Sequence, residues 1–133
     1  IIEDAAGALG FFYNDKHVGI SSRASILSFN GNKIITPPIS SSILDSITRK
    51  TVIKIATKVN NLLVDVREIK KDEVLKADEV FLCGTSIEIF PVTRINNSKY
   101  VSSEITSKIR ESYMSIVRGK LEEYGKWLTP VYI

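Results

Sequence analysis

The chain of 133 residues is long enough for one hydrophobic core, and 44% hydrophobic with 25% charged residues is a globular rather than a disordered composition. A net charge of +3 without a basic cluster argues against dedicated nucleic-acid binding, and no apolar run reaches the roughly 18 residues of a membrane span. The single cysteine, Cys83, cannot form an internal disulfide and no signal peptide is visible, so we expect one cytoplasmic domain over residues 1–133.

The first third of the chain has the pattern of β structure. Apolar runs at residues 9–13, 18–29 and 33–36 are separated by the turn signals Asn14-Asp15-Lys16 and Asn30-Gly31-Asn32. Because Asn-Gly between apolar runs is typical of a hairpin, we expect the last two runs to pair. Pro37-Pro38 should then end the pairing.

A helix is predicted next. Ser40, Ser41, Ser42, Asp45 and Ser46 offer N-cap side chains. One helical face carries four apolar residues, which are Val52, Ile53, Ala56 and Val59. Asn60-Asn61 should end the helix.

The rest of the chain alternates strands and helices. We expect strands at residues 62–66, 80–83 and 87–92, the second halted by Gly84 and the third placing Pro91 at an edge or end. A short helix is predicted at residues 72–76, and a longer one begins near Ser103 and ends near Gly119. The apolar face of this longer helix comprises Ile105, Ile109, Tyr113, Ile116 and Val117. This alternation predicts an α/β or mixed α+β fold.

Two loops could bind an anion. Residues 46–49 begin the first long helix, where free N–H groups and the positive end of the helix dipole favour negative charge. Gly84, Thr85 and Ser86 follow a buried strand, and the glycine allows close approach of a ligand. The alternative is that the first loop is only a helix cap and the second only a turn.

Other candidate residues favour structural roles. His17 has no partner at metal-ligand spacing, so we predict no metal site, and Cys83 is expected to be a buried, inert thiol. Glu79 and Glu88 flank the Cys83 loop, where an acid–base pair is one possibility and surface or ion-paired carboxylates are the commoner one. Ser21-Ser22 lacks the glycines of a nucleophile elbow. Tyr124 and Trp127 should dock the C-terminal segment on the core.

Several segments together resemble one family. Residues 36–38, 41–44 and 47–49 are similar to the "TPP…SSIL.GITR" stretch of class IV aminotransferases, and residues 77–92 to their "ADEVF..GTA.E" segment. Residues 115–119 and 127–131 resemble the ending of the branched-chain subgroup. The similarity runs in unbroken order from about Gly7 to Val131.

This resemblance implies the second domain of the class IV aminotransferase fold, a pseudo-barrel of strands with surrounding helices. It also implies a pyridoxal phosphate site between two domains. By position, Ile47, Thr48 and Thr85 match residues that hold the cofactor phosphate, whereas Ser86 and Ile87 match the pair whose N–H groups meet the substrate carboxylate. A homo-oligomer or an N-terminal domain or partner subunit would then complete the site.

The chain also departs from the family pattern. The Schiff-base lysine of the family has no counterpart here, since Lys16 and Lys33 stand at the wrong places. Ile20 occupies the position of the glutamate that pairs with the cofactor ring nitrogen, and Ser46 replaces a glycine. We therefore name no catalytic residue and expect this chain alone not to transaminate. The alternative is a non-catalytic homologue that binds a phosphate compound or another subunit.

Overall fold

The computed structural model describes residues 12–13, 16–17, 24–29, 32–41, 43 and 45–129, with the backbone alone for the first three of these ranges. The sequence interpretations of residues 9–11, 14–15 and 18–23, which include Ile20 and Ser21-Ser22, lie outside the described residues. The side chain of His17, for which no metal-binding role is expected, lies outside them as well.

Two hairpins form the N-terminal part. Strands β1 (Phe12–Tyr13) and β2 (Lys16–His17) pair in antiparallel orientation, so Lys16 belongs to a strand rather than to the expected turn. Strands β3 (Ala24–Phe29) and β4 (Lys33–Thr36) are also antiparallel, with Leu27 opposite Ile35. The hairpin predicted from Asn-Gly is confirmed, and β4 ends immediately before Pro37 as expected.

The first long helix connects two parallel strands. A 3-10 turn at Ile39–Ser41 leads to helix α1 (Ile47–Lys58), which is followed by strand β5 (Leu63–Val66). Strand β5 pairs with β4 in parallel orientation, an arrangement that requires a crossover such as α1. The helix ends where predicted, because Asn61 adopts a left-handed φ of 53°, which asparagine tolerates.

A central strand unites the remaining sheet. Helix α2 (Lys71–Lys76) precedes strand β6 (Glu79–Gly84), which pairs in antiparallel orientation with β3 on one side and with β7 (Glu88–Val92) on the other. The strand order is β5-β4-β3-β6-β7, so Pro91 lies in an edge strand as expected. Every residue of β6 is buried, which is typical of a strand covered on both faces.

The C-terminal part is helical. A short hairpin of β8 (Arg94–Ile95) and β9 (Ser98–Lys99) is followed by helix α3 (Glu104–Val117) and a 3-10 helix at Glu122–Trp127. Gly119, with a φ of 68°, ends α3 as predicted. Tyr124 and Trp127 pack against the core, which confirms their docking role. The interpretation of Pro130 and Val131 lies outside the described residues.

The core lies between the sheet and the helices α1 and α3. Its buried residues include Ile34, Val52, Ile55, Ala56, Phe81, Cys83, Ile89, Ile105, Ile109 and Ile116. The buried stripe of α1 is Val52, Ile55 and Ala56 with Val59 packed beside it, whereas Ile53 is only half-buried. The expectation for Ile53 was wrong because of the helical spacing. Ile55 lies three positions after Val52 and shares the face of Val52, whereas Ile53 is rotated from Val52 by about 100°.

The burial of α3 follows the prediction at most positions. Ile105, Ile109 and Ile116 are buried and Tyr113 is half-buried. Val117, however, is 40% exposed because it lies beside the stripe rather than within it. The mixed α/β class is confirmed, and in the described part of the sheet no pairing joins β5 to β7.

Candidate active-site half

The two loops proposed to bind an anion lie at the same edge of the sheet, namely the one formed by the C-terminal ends of β4 and β6. Strands β4 and β6 are both antiparallel to β3, and their C-terminal ends therefore point the same way. Strand β4 leads through Pro37 to α1, and β6 leads directly to the turn at Thr85. With one strand between them, the two strand axes are separated by roughly 10 Å. The topology thus brings together two segments that are distant in sequence.

The first turn of α1 leaves two backbone amides available. The Ser46 side chain is the N-cap, and its Oγ accepts a hydrogen bond from the Arg49 N–H at 3.0 Å. The Lys50 N–H donates to the Ser46 carbonyl. The Ile47 and Thr48 N–H groups have no acceptor among the residues that the structure describes. Since a helix begins with unpaired donors and a positive dipole end, these two amides can bind an anion.

Ser46 is therefore compatible with this loop although it replaces the family glycine. Of the serines suggested as caps, Ser40 and Ser41 lie in the preceding 3-10 turn, and Ser41 donates a hydrogen bond to the Glu68 carboxylate. Ser42 lies outside the described residues. The Ser46 backbone is extended, as an N-cap requires. Its hydroxyl accepts a hydrogen bond from the third amide of the helix, that of Arg49, and the first two amides stay available.

Threonine and isoleucine side chains point in different directions at the start of α1. Thr48 is buried, and its hydroxyl acts to lower the pKa of the Tyr113 phenol on α3. Ile47 is 82% exposed, so its contribution to a ligand would come from its backbone. The arrangement provides one hydroxyl and two amides on the same helical turn.

The second loop is a short turn between β6 and β7. Gly84 pairs with Glu88, and between them Thr85 and Ser86 are exposed while Ile87 is half-buried. Glu88 has a φ of 55°, a conformation that costs a non-glycine residue of order 1–3 kcal/mol and tends to occur near functional sites. The turn therefore presents two hydroxyls and their amides at the sheet edge.

Five polar side chains in or beside these loops interact electrostatically, namely Thr48, Arg49, Cys83, Glu88 and Tyr113. Burial raises the pKa of the Cys83 thiol to about 12, although the nearby Arg49 charge acts to lower it. Burial likewise raises the pKa of Tyr113, helped by Glu88 and Cys83 and opposed by the Thr48 hydroxyl. Both groups are therefore neutral at physiological pH, and Cys83 is buried as predicted.

Glu79 and Glu88 do not form an acid–base pair. Glu88 lies opposite Gly84, five residues along β6 from Glu79, which corresponds to roughly 17 Å. The commoner alternative is also wrong for Glu79, which is 3% exposed and has no ion pair within the described residues. Its carboxylate instead accepts hydrogen bonds from the Ile105 and Thr106 N–H groups and the Thr106 hydroxyl at 2.7–2.9 Å, and from Ser102 Oγ at 3.1 Å.

Sequence reasoning identified the loops but missed two residues that support them. Arg49 was noted only as part of a motif, and Tyr113 only as part of an apolar stripe. A signal for Arg49 was present, since a cation in the first turn of a helix is opposed by the dipole and calls for an explanation. Tyr113 carried no such signal, because aromatic residues at core spacing are common.

The residues present fit the phosphate end of a phosphate-bearing cofactor. Two amides, the Thr48 and Thr85 hydroxyls and a buried guanidinium lie at one sheet edge. Among the described residues, no group of three or more His, Cys, Asp or Glu side chains could hold a metal ion. None of the helices in the described part of the chain is long and apolar enough to cross a bilayer.

Comparisons with known proteins identify the family to which the chain is similar. The family model for amino-transferase class IV matches residues 4–95. A probable branched-chain-amino-acid aminotransferase of Aquifex aeolicus is 42% identical over 119 residues, which are 87% of this chain and 38% of that protein. The chain therefore spans little more than a third of the length of this relative.

Solved structures share the fold. The branched-chain amino acid aminotransferase of Thermobaculum terrenum in its PLP form (holo form) superposes with a TM-score of 0.80 at 39% identity, covering 84% of this chain and 37% of that one. The branched-chain aminotransferase of Thermoproteus uzoniensis with norvaline gives a TM-score of 0.77 at 39% identity, with coverage of 84% and 37%.

Proposed function

This chain belongs to the class IV aminotransferase family, and from that premise we propose that it forms the half of a branched-chain aminotransferase site that holds the cofactor phosphate and the substrate carboxylate. The observation that carries the proposal is that the backbone amides of Ile47 and Thr48 have no acceptor among the described residues. Both amides lie at the same sheet edge as the Thr85 turn. Relatives of the branched-chain type support the substrate class.

Each residue of the site has a defined task in this proposal. The phosphate of pyridoxal phosphate is bound by the Ile47 and Thr48 amides and by the Thr48 and Thr85 hydroxyls. Hydrogen bonds to a charged phosphate are stronger than those between neutral groups. The Ser86 and Ile87 amides orient the substrate carboxylate. When bound, the cofactor supplies the electron sink for amino-group transfer. The residues named here bind and orient, and none of them transfers a proton.

We expect the 133-residue chain alone to be unable to transaminate. The chain has no counterpart of the lysine to which the family attaches its cofactor, and Ile20 can neither accept a hydrogen bond nor balance a ring charge. The test mixes the purified chain with pyridoxal phosphate, leucine and 2-oxoglutarate and measures glutamate formation. Free cofactor without protein is the control, and glutamate above that background would contradict the prediction.

The alternative function is that of a non-catalytic homologue, and one observation favours it. Ile20 in place of the ring-pairing glutamate would weaken catalysis whatever sequence accompanies this chain. Such a homologue would bind a phosphate compound, or another subunit, through the same loops. The two functions predict different ligand affinities. A chain that serves catalysis should bind pyridoxal phosphate more tightly than inorganic phosphate, whereas a non-catalytic homologue should bind the two equally well.

We also propose that the chain is cytoplasmic. We further propose that the face carrying residues 46–49 and 84–86, the candidate-site face, pairs with another copy or with a partner domain. Ile47 is 82% exposed and Ile39 is 50% exposed at this face. Exposed apolar residues that adjoin a binding site often mark an interface. We therefore expect the isolated chain to self-associate.

Light scattering over a wide concentration range measures this association. Ile39→Ser with Ile47→Ser should reduce it, because both changes remove apolar surface from the candidate-site face. Leu63→Ser is the matched control, since Leu63 is 64% exposed on the distant edge strand β5. A monomer at all concentrations, or an equal effect of the control, would contradict the assignment of this face.

A further inference from the structure

Arg49 is a buried cation that connects α1 to the end of β4. The residue is 4% exposed. Its Nε donates to Thr36 Oγ1 at 3.2 Å, and one terminal nitrogen donates to the Pro37 carbonyl at 2.7 Å. These bonds fix the chain that leads from the sheet edge toward the helix start.

The guanidinium charge has no counter-ion in the described part of the protein. The ion pairs found there belong to Lys33, Lys50 and Arg67, and none of the carboxylates in the described ranges lies within 4.0 Å of a nitrogen of Arg49. Burying an unpaired charge is costly, and both acceptors of Arg49 are neutral oxygens. A second penalty comes from its position, because the first turn of α1 contains no acidic residue and its dipole repels a cation.

An anion at the start of α1 would relieve both penalties together. The Arg49 side chain reaches back from α1 to β4, and its charge acts on Cys83 at the end of β6, two residues before Thr85. The guanidinium therefore lies at the end of β4, next to the loop that begins α1. A phosphate bound by these loops would supply a negative charge where no described carboxylate pairs with Arg49.

We propose that Arg49 is a positioning residue for the phosphate loops and that its unbalanced charge is neutralised by the bound phosphate. This proposal rests on the proposed function of the same loops. It gives Arg49 two separable tasks, since its hydrogen bonds hold the end of β4 and its charge raises the affinity for an anion. The charge acts without direct contact, because Coulomb interactions in a protein interior extend over several ångströms.

Two substitutions separate the tasks. Arg49→Lys keeps the charge but loses the planar fork of donors, whereas Arg49→Met keeps the length and loses both. We expect Arg49→Lys to unfold more easily than the parent yet to bind inorganic phosphate within about threefold of it, and Arg49→Met to bind it about tenfold or more weakly. Lys50→Met is the matched control, because Lys50 is exposed and paired with Asp45, and it should change affinity less than threefold.

The measurement is a titration of the 133-residue chain with inorganic phosphate, followed by the NMR shifts of the Thr48 and Thr85 amides. A purely structural Arg49 would make the lysine and methionine variants lose affinity equally, which would overturn the proposal. A folded Arg49→Met variant with the parent's affinity would overturn it too. If Arg49→Met does not fold, the lysine variant decides, since a tenfold loss there contradicts a role for the charge. Absence of any shift in the parent would instead reject the phosphate site itself.

Discussion

Replacing Glu79 with glutamine is expected to lower the free energy of unfolding by roughly 3 kcal/mol. The Glu79 carboxylate holds the first turn of α3 through hydrogen bonds from the Ile105 and Thr106 amides, and it also accepts from two hydroxyls. Glutamine has one acceptor oxygen, and its NH₂ group would face a donor. It also removes a negative charge from the positive end of the helix dipole.

The effect of Glu79 should depend on pH in a defined direction. Burial alone would raise the pKa of Glu79, but the hydrogen bonds from Thr106, Ile105 and Ser102 outweigh it and lower that pKa. A carboxyl whose pKa is lower in the folded state stabilises the protein fully above its unfolded pKa. This stabilisation is lost as the pH falls through the folded pKa, so parent and variant should converge in acid.

Urea unfolding of both proteins at several pH values measures this prediction. Glu104→Gln is the matched control, because Glu104 lies at the same helix start but is exposed, and it should cost less than about 1 kcal/mol. Equal losses for the two variants, or a Glu79→Gln effect that persists unchanged in acid, would show that Glu79 does not stabilise α3 through its charge.

Glu79 illustrates which parts of the fold the sequence can predict. The β3–β4 hairpin followed from Asn30-Gly31 because turn and strand signals are neighbours in sequence. The boundaries of α1 followed from Ser46 and Asn61 for the same reason. The cap of α3 could not be predicted, since its carboxylate lies about 26 residues before the amides that it binds. The local pattern predicted only that the helix begins near Ser103, which is the N-cap residue but whose side chain makes no capping hydrogen bond.

The candidate site divides in the same way. The loops at residues 46–49 and 84–86 were recognisable because glycine, hydroxyls and a helix start are local features. Their common location depends on β4 and β6 both pairing with β3, which only the tertiary structure shows. The buried charge of Arg49 is also a tertiary property, because its environment is formed by Thr36, Pro37 and Cys83.

Replacing Thr48 or Thr85 with valine is expected to weaken phosphate binding by roughly tenfold or more in each case. A hydrogen bond to a charged group contributes about 1.5–3 kcal/mol, and valine keeps the branched shape of threonine while removing the hydroxyl. Thr57→Val is the matched control, because Thr57 lies on the same helix and donates to the Ile53 carbonyl at 2.9 Å. It lies nine residues after Thr48, which is about 13 Å along the helix, and should not change the affinity.

The two threonines should differ in their effect on stability. Thr85 is exposed, so Thr85→Val should leave the free energy of unfolding within about 0.5 kcal/mol of the parent. Thr48 is buried and its hydroxyl interacts with the Tyr113 phenol, so Thr48→Val should lower the free energy of unfolding by about 1 kcal/mol. Weaker binding in Thr85→Val therefore cannot be attributed to partial unfolding.

Phosphate titration followed by thermal stabilisation or NMR shifts measures the affinities. If the ring end of the site is lost at Ile20, inorganic phosphate and pyridoxal phosphate should bind with similar affinity, because the contacts at the loops are to phosphate oxygens alone. A strong preference for pyridoxal phosphate would show that other residues still recognise the ring. If both valine variants bind as the parent does, the hydroxyls of Thr48 and Thr85 do not hold phosphate and the loops serve only the fold.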